Sequence, residues 1–99
     1  MNNLIKHKWI DALRSGKYKQ GKYYLKTIND EYCCLGVLTQ LYVDEHPNTS
    51  FIENYLPLEV VEWANLKEIN PIINGDFLAN LNDNGKTFDQ IASLIDTYL

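Results

Sequence analysis

Lys17-Tyr18-Lys19-Gln20-Gly21-Lys22-Tyr23-Tyr24-Leu25-Lys26-Thr27-Ile28-Asn29-Asp30-Glu31-Tyr32-Cys33-Cys34 is the stretch on which the fold class turns. Within it Tyr23, Leu25 and Thr27 alternate with Tyr24, Lys26 and Ile28. That is the period-two pattern of aromatic and β-branched residues in a strand. Asn29-Asp30 supplies turn chemistry, and Glu31-Tyr32-Cys33-Cys34 reads as the return strand of a β-hairpin. Most of the remaining chain has helical spacing. The expectation is therefore an α+β fold: one small domain over residues 1–99, with a β-hairpin or small antiparallel sheet packed with about four to five helices.

Working outward toward the start, Ile5, Trp9, Ala12 and Leu13 recur at the spacing of one helix face, which predicts a helix over 3–14. Ser15-Gly16 is its stop, with Gly16 free to take a left-handed cap. Toward the end, Leu35, Leu38, Leu41 and Tyr42 predict a helix over 35–43, uncharged until Asp44 and so deeply buried. His46-Pro47-Asn48-Thr49-Ser50 is a loop. Pro57 opens a helix over 58–66 with Val60, Val61 and Ala64 inward. Asn70 to Gly75 reads as a short extended piece or a turn, and Asp76–Leu81 as a short helix ended by Asn82-Asp83-Asn84-Gly85. Thr87 and Gln90 form a T-x-x-Q capping box ahead of Phe88, Ile91, Ala92, Ile95 and Leu99, the clearest helix signal in the chain.

The composition is that of an ordinary globular protein, 45% hydrophobic and 22% charged in 99 residues, which argues against disorder. No apolar run approaches the ~18 residues needed to span a bilayer. The first residues lack the apolar block of a signal peptide, so the expected location is the cytoplasm, with no membrane partner. Cys33 and Cys34 are adjacent, a spacing that disfavours both a mutual disulfide and a CxxC site. Two reduced thiols agree with a reducing compartment.

Charge is unevenly spread. Residues 1–28 carry seven cations against Asp11, a net +6, and residues 29–99 carry two against twelve acids, a net −10. A basic lobe on an acidic chain suggests a local anion site. A duplex nucleic-acid binder would be basic overall, so no such partner is expected.

Enzyme motifs fail in turn. His7 and His46 have no metal-ligand spacing, and no nucleophile elbow, dinucleotide fingerprint or Walker sequence is present. A calcium loop registered on Gly85 starts at the uncharged Asn80 and lacks its closing Glu at Ile91. Glu59 and Glu62 describe a solvated helix face. The expectation is no catalytic residue, no metal and no cofactor. What remains is Arg14, Lys17, Tyr18, Lys19, Gln20, Gly21, Lys22 and Tyr23 as candidate ligand-binding residues. Arg14 suits a bidentate phosphate contact and the lysines add point charges. Gly16 and Gly21 permit close backbone approach, the tyrosines offer stacking faces, and Gln20 suits a base edge. The plain alternative is an exposed basic loop whose tyrosines cover the edge of the core.

Trp9-Ile10-Asp11-Ala12-Leu13-Arg14-Ser15-Gly16-Lys17-Tyr18-Lys19-Gln20-Gly21 and Tyr32-Cys33-Cys34-Leu35-Gly36-Val37-Leu38 give the chain its resemblance to a family of small phage-encoded proteins. Leu56-Pro57, Trp63-Ala64, Leu78 to Phe88 and Ile91-Ala92 extend it over nearly the whole length. The chain is similar in flavour to the phage "sponge" proteins, of the anti-CBASS type, that sequester nucleotide immune signals. That likeness implies a non-enzymatic binder of a small phosphorylated nucleotide ligand such as a cyclic dinucleotide, acting against host anti-phage defence. It also places Arg14, Lys17, Tyr18, Gln20 and Gly21 near ligand and gives the Cys-Cys-Leu-Gly stretch a packing role. A chain this short encloses little volume, so a homo-oligomer sharing its pocket is expected. The competing expectation is a protein-binding inhibitor or adaptor of a host or defence protein, its acidic remainder mimicking nucleic acid.

Overall fold

In the computed structural model, which describes residues 1–50 and 54–99, helices dominate. They are α1 (Asn3–Arg14), α2 (Cys34–Glu45), α3 (Leu58–Ala64), α4 (Leu78–Asp83) and α5 (Phe88–Tyr98). Four two-residue strands, β1 (Lys19–Gln20), β2 (Glu31–Tyr32), β3 (Ile72–Ile73) and β4 (Asp76–Phe77), make two small sheets. This is an α+β architecture.

α1 buries Ile5, Trp9, Ile10 and Leu13, chiefly against α5, which turns Phe88, Ile91, Ala92 and Ile95 inward. α5 keeps the face that its spacing predicts, and α1 does so except that Ile10 is buried while Ala12 is only half-buried. The capping box forms: Gln90 N donates to Thr87 Oγ1 at 3.2 Å and Thr87 N to Gln90 Oε1 at 2.9 Å. α2 runs through the core with Cys34 to Thr39 all buried. The Trp9 indole donates to the carbonyl of Cys34 at 2.9 Å, so α1 is also tied to the start of α2 and the buried indole N–H is satisfied.

The hairpin expected from 23–28 and 31–34 does not form. β1 instead pairs parallel with β2, Lys19 opposite Glu31 and Gln20 opposite Tyr32. Lys26 makes a lone antiparallel bridge to Tyr32. Two physical causes are visible. Tyr23 lies at φ +71°, which breaks the first strand. Cys33 is the N-cap of α2, its Sγ accepting from Gly36 N at 3.4 Å, so the helix takes residues that a return strand needed. A hairpin forms elsewhere, β3 with β4 around Asn74-Gly75. Those two residues have φ of +53° and +84°, the left-handed pair that a tight two-residue turn requires. α4 consequently starts at Leu78, not Asp76, because Asp76–Phe77 is strand. α3 ends at Ala64, short of 66, because Asn65 turns left-handed at φ +54°.

Gly36 sets how the loop and α2 meet. A Cβ built there would lie 1.7 Å from the carbonyl oxygen of Leu25. The 25–28 segment therefore crosses directly over the first turns of α2, with Leu25 buried beneath it.

Candidate functional site

Arg14 Nε donates to Asp89 at 3.2 Å and its Nη2 to Ser93 Oγ at 2.8 Å, tying α1 to α5 on the surface. Lys19 pairs with Glu31 at 3.3 Å across the parallel strands. These ion pairs are solvent-facing and each is worth well under ~1 kcal/mol. Gln20 is engaged at both ends. Its Nε2 donates to Asn82 Oδ1 at 2.9 Å and to the carbonyl of Lys86 at 2.8 Å, and Phe88 N donates to its Oε1 at 3.1 Å. Gly21 is buried: its N donates to Tyr32 O at 2.7 Å, its carbonyl accepts from Asn82 Nδ2 at 2.8 Å, and a Cβ would meet Glu31 Cβ at 2.8 Å. Gln20 and Gly21 thus hold the fold together. Lys17, Lys22 and Tyr23 stand at the surface.

Asn82, which turn chemistry alone describes in the sequence, is the centre of this arrangement. It is fully buried and also accepts from Cys34 N at 3.2 Å. Asn82 caps the first N–H of α2 and Gln20 caps the first N–H of α5, two donors that a helix cannot satisfy internally.

Tyr18 and Lys17 lead away from that centre toward a second region. Lys17 Nζ sits 5.5 Å from the centroid of the Tyr18 ring. Tyr18 meets Tyr32 edge-on at 5.2 Å, and Lys26 Nζ lies 5.6 Å from the Tyr32 centroid. Ammonium, ring, ring, ammonium form a ladder, in the geometry of cation–π and edge-to-face contacts. Tyr32 beside it, and then Asp30, hold the Lys26 ammonium above the ordinary lysine range, while burial and then Asp44 raise the Tyr18 phenol.

The ladder ends at a half-open recess of about 470 Å³. One wall is the 25–28 segment with Lys26 and Thr27. Another is the outer face of α2 at Gln40 and Val43, and the third carries Thr49, Ser50 and Asn54. The first wall is stiff: Thr27 Oγ1 accepts from Asn29 N and Glu31 N, both at 3.2 Å, and Thr27 N donates to Glu31 O at 2.8 Å. None of the eight sequence-selected residues lines this recess. Lys26 and Tyr32 do, although the sequence reads them only as strand residues and gives them no ligand role: the crossing at Gly36 brings them there.

The thiols lie apart from the recess. Cys34 Sγ faces the carbonyl of Leu78 at 3.8 Å. Burial pushes both thiol pKa values up, that of Cys34 well above its usual value. Stability from a raised pKa is complete below the unfolded value and lost as pH climbs past it. An unfolded chain releases thiol protons from about pH 8.5, so urea midpoints are expected to fall as pH rises beyond that point. At pH 8 the folded protein is expected to react with a disulfide reagent at least about a thousandfold more slowly than the urea-unfolded chain, since labelling waits for opening. Labelling of the native protein at the unfolded rate would contradict this placement. Among the described residues no three His, Cys, Asp or Glu gather as a metal-binding group, and no helix is long and apolar enough to cross a membrane.

A family model described as a domain of unknown function (DUF8296) matches residues 1–99. No curated protein and no solved structure matches the chain.

Proposed function

From the premise that the chain belongs to the DUF8296 family over residues 1–99, we propose that it is a non-enzymatic protein that sequesters a small phosphorylated ligand of the nucleotide class. The observation that carries this reading is the Lys17–Tyr18–Tyr32–Lys26 ladder ending at the recess. Ammonium groups suit phosphate oxygens, and a phenol ring beside a concave wall suits a nucleobase. Thr27, Thr49 and Ser50 hydroxyls and the Gln40 and Asn54 amides supply the sparse polar contacts that orient a ligand. The Lys26–Asp30 pair at 3.5 Å is exposed, so an incoming phosphate displaces Asp30 at little expense.

Sequestration needs tight binding and slow release, not turnover. With the phage resemblance, this gives a nucleotide immune signal as the ligand and the host cytoplasm as the place of action. Calorimetry against cyclic dinucleotides, linear dinucleotides and mononucleotides is expected to single out one class. Lys26→Glu is expected to weaken that ligand by roughly 10- to 100-fold, the loss of one charged contact worth about 1.5–3 kcal/mol. Chromatography of the released ligand is expected to return it unchanged. Absence of heat across the panel, or a hydrolysed ligand, would refute the proposal.

A further inference from the structure

The loop over residues 21–30 displays large side chains it has no internal use for. Gly21, Leu25 and Thr27 pin its backbone through the contacts described above. Tyr23 N also donates to Asp83 Oδ1 at 2.9 Å, holding Tyr23 at φ +71°. That region is unfavourable for a bulky side chain. The strain returns no burial, because the Tyr23 ring is 71% exposed, Tyr24 is 51% exposed and Ile28 is 99% exposed. Rigidly held, outward-facing tyrosines with few rotatable bonds are the chemistry of a binding loop. Lys22 stands among them with no acidic partner among the described residues.

A surface of opposite character lies on the same molecule. At the start of α3, Tyr55 and Leu58 are 59% and 60% exposed. Glu59 and Glu62 flank them, both exposed and without a cationic partner among the described residues. One surface is apolar with a lysine, and the other is apolar with two carboxylates.

We infer that two copies of this chain associate through these surfaces, the 22–28 loop of one copy seated on the α3 face of the other. Apolar side chains supply the contact area, and the Lys22–Glu59/Glu62 complementarity sets the register. In a two-fold pair each copy offers both surfaces, so the contact is made twice and the assembly closes. This inference does not rest on the ligand reading: the 25–28 segment belongs to both surfaces, but Lys22, Tyr23, Glu59 and Glu62, which test the association, line no part of the recess.

Sedimentation over a range of protein concentrations at ~0.05 M and ~0.5 M salt tests it. Reversible dimers are expected, weaker at the higher salt. Tyr23→Gly, which removes the ring and relieves the φ strain, is expected to raise the dimer Kd at least roughly tenfold while leaving the melting temperature nearly unchanged. Lys22→Glu alone and Glu59→Lys with Glu62→Lys are each expected to disrupt the dimer, and combining all three to restore it. A monomer at every concentration in low salt overturns the inference. So does a dimer indifferent to Tyr23→Gly and to charge reversal, since its interface would lie elsewhere. All four positions are solvent-exposed, so the variants fold, and thermal melts separate lost association from lost structure.

Discussion

Replacing Asn82 by alanine is expected to lower the stability of this protein by roughly 3–5 kcal/mol, the summed penalty of several buried groups left without partners. The side chain is fully buried and serves four groups from three parts of the chain. It accepts from Cys34 N at 3.2 Å and from Gln20 Nε2 at 2.9 Å, and donates to the Gly21 carbonyl at 2.8 Å and to Asp83 Oδ1 at 3.3 Å. No water-facing route replaces those contacts at zero exposure. A domain of ~100 residues has only about 5–15 kcal/mol in total, and each kcal/mol moves its melting temperature by roughly 4–8 °C. A fall on the order of 15–30 °C follows. Asn82→Asp keeps the accepting oxygen but turns a second oxygen toward Gly21 O and Asp83, and at neutral pH buries a charge. It is expected to do no better than alanine. A urea melt of Asn82→Ala within roughly 1 kcal/mol of the parent would show that the hub is not what joins α4 to α2 and to the Gln20–Gly21 turn.

Gly36→Ala is expected to be similarly damaging by a different route. The methyl group would sit 1.7 Å from Leu25 O and 2.6 Å from its carbonyl carbon, both backbone atoms. No rotamer relieves such an overlap, so the 25–28 segment must lift from α2. Cys33 N would then lose its 3.3 Å bond to Leu25 O, and Leu25 its place in the core. Overpacking commonly costs about 1–3 kcal/mol where side chains can give. Here backbone must give, and a loss above roughly 3 kcal/mol is expected. The same displacement removes one wall of the recess, so a surviving folded fraction is expected to bind no ligand. Unchanged stability and unchanged binding in Gly36→Ala would mean that this crossing does not build the recess.

The candidate site was legible only in part. The 14–23 segment announces itself by charge and tyrosines, and Lys17 and Tyr18 do enter the ladder. Gln20 and Gly21 carry the same signature yet serve as internal fastenings, because a side-chain amide that suits a base edge suits a helix N-terminus equally well. Lys26, Tyr32 and Gln40 line the recess without any local signal of ligand binding, since what assembles them is contact between segments distant along the chain. The polar hub was likewise invisible: Asn82 sits in an Asn82-Asp83-Asn84-Gly85 run whose composition predicts an exposed turn, while its neighbours Asp83 to Gly85 range from half-buried to exposed.

The amino-acid pattern by itself determined α1 and α5, their apolar faces and the Thr87–Gln90 box, because helical periodicity and capping are local chemistry and need no third partner. The α+β class it indicates is also the one observed, although the strands that make it pair differently from the hairpin the pattern predicts. Tertiary structure alone decided that residues 23–34 form no hairpin. There the period-two signal competes with a thiol-capped helix start at Cys33, a glycine admitting Leu25 against α2, and Asn82 reaching across 48 residues to the first N–H of that helix. Burial of the helix outweighs the strand preference of a few exposed side chains, and only the assembled core sets that balance.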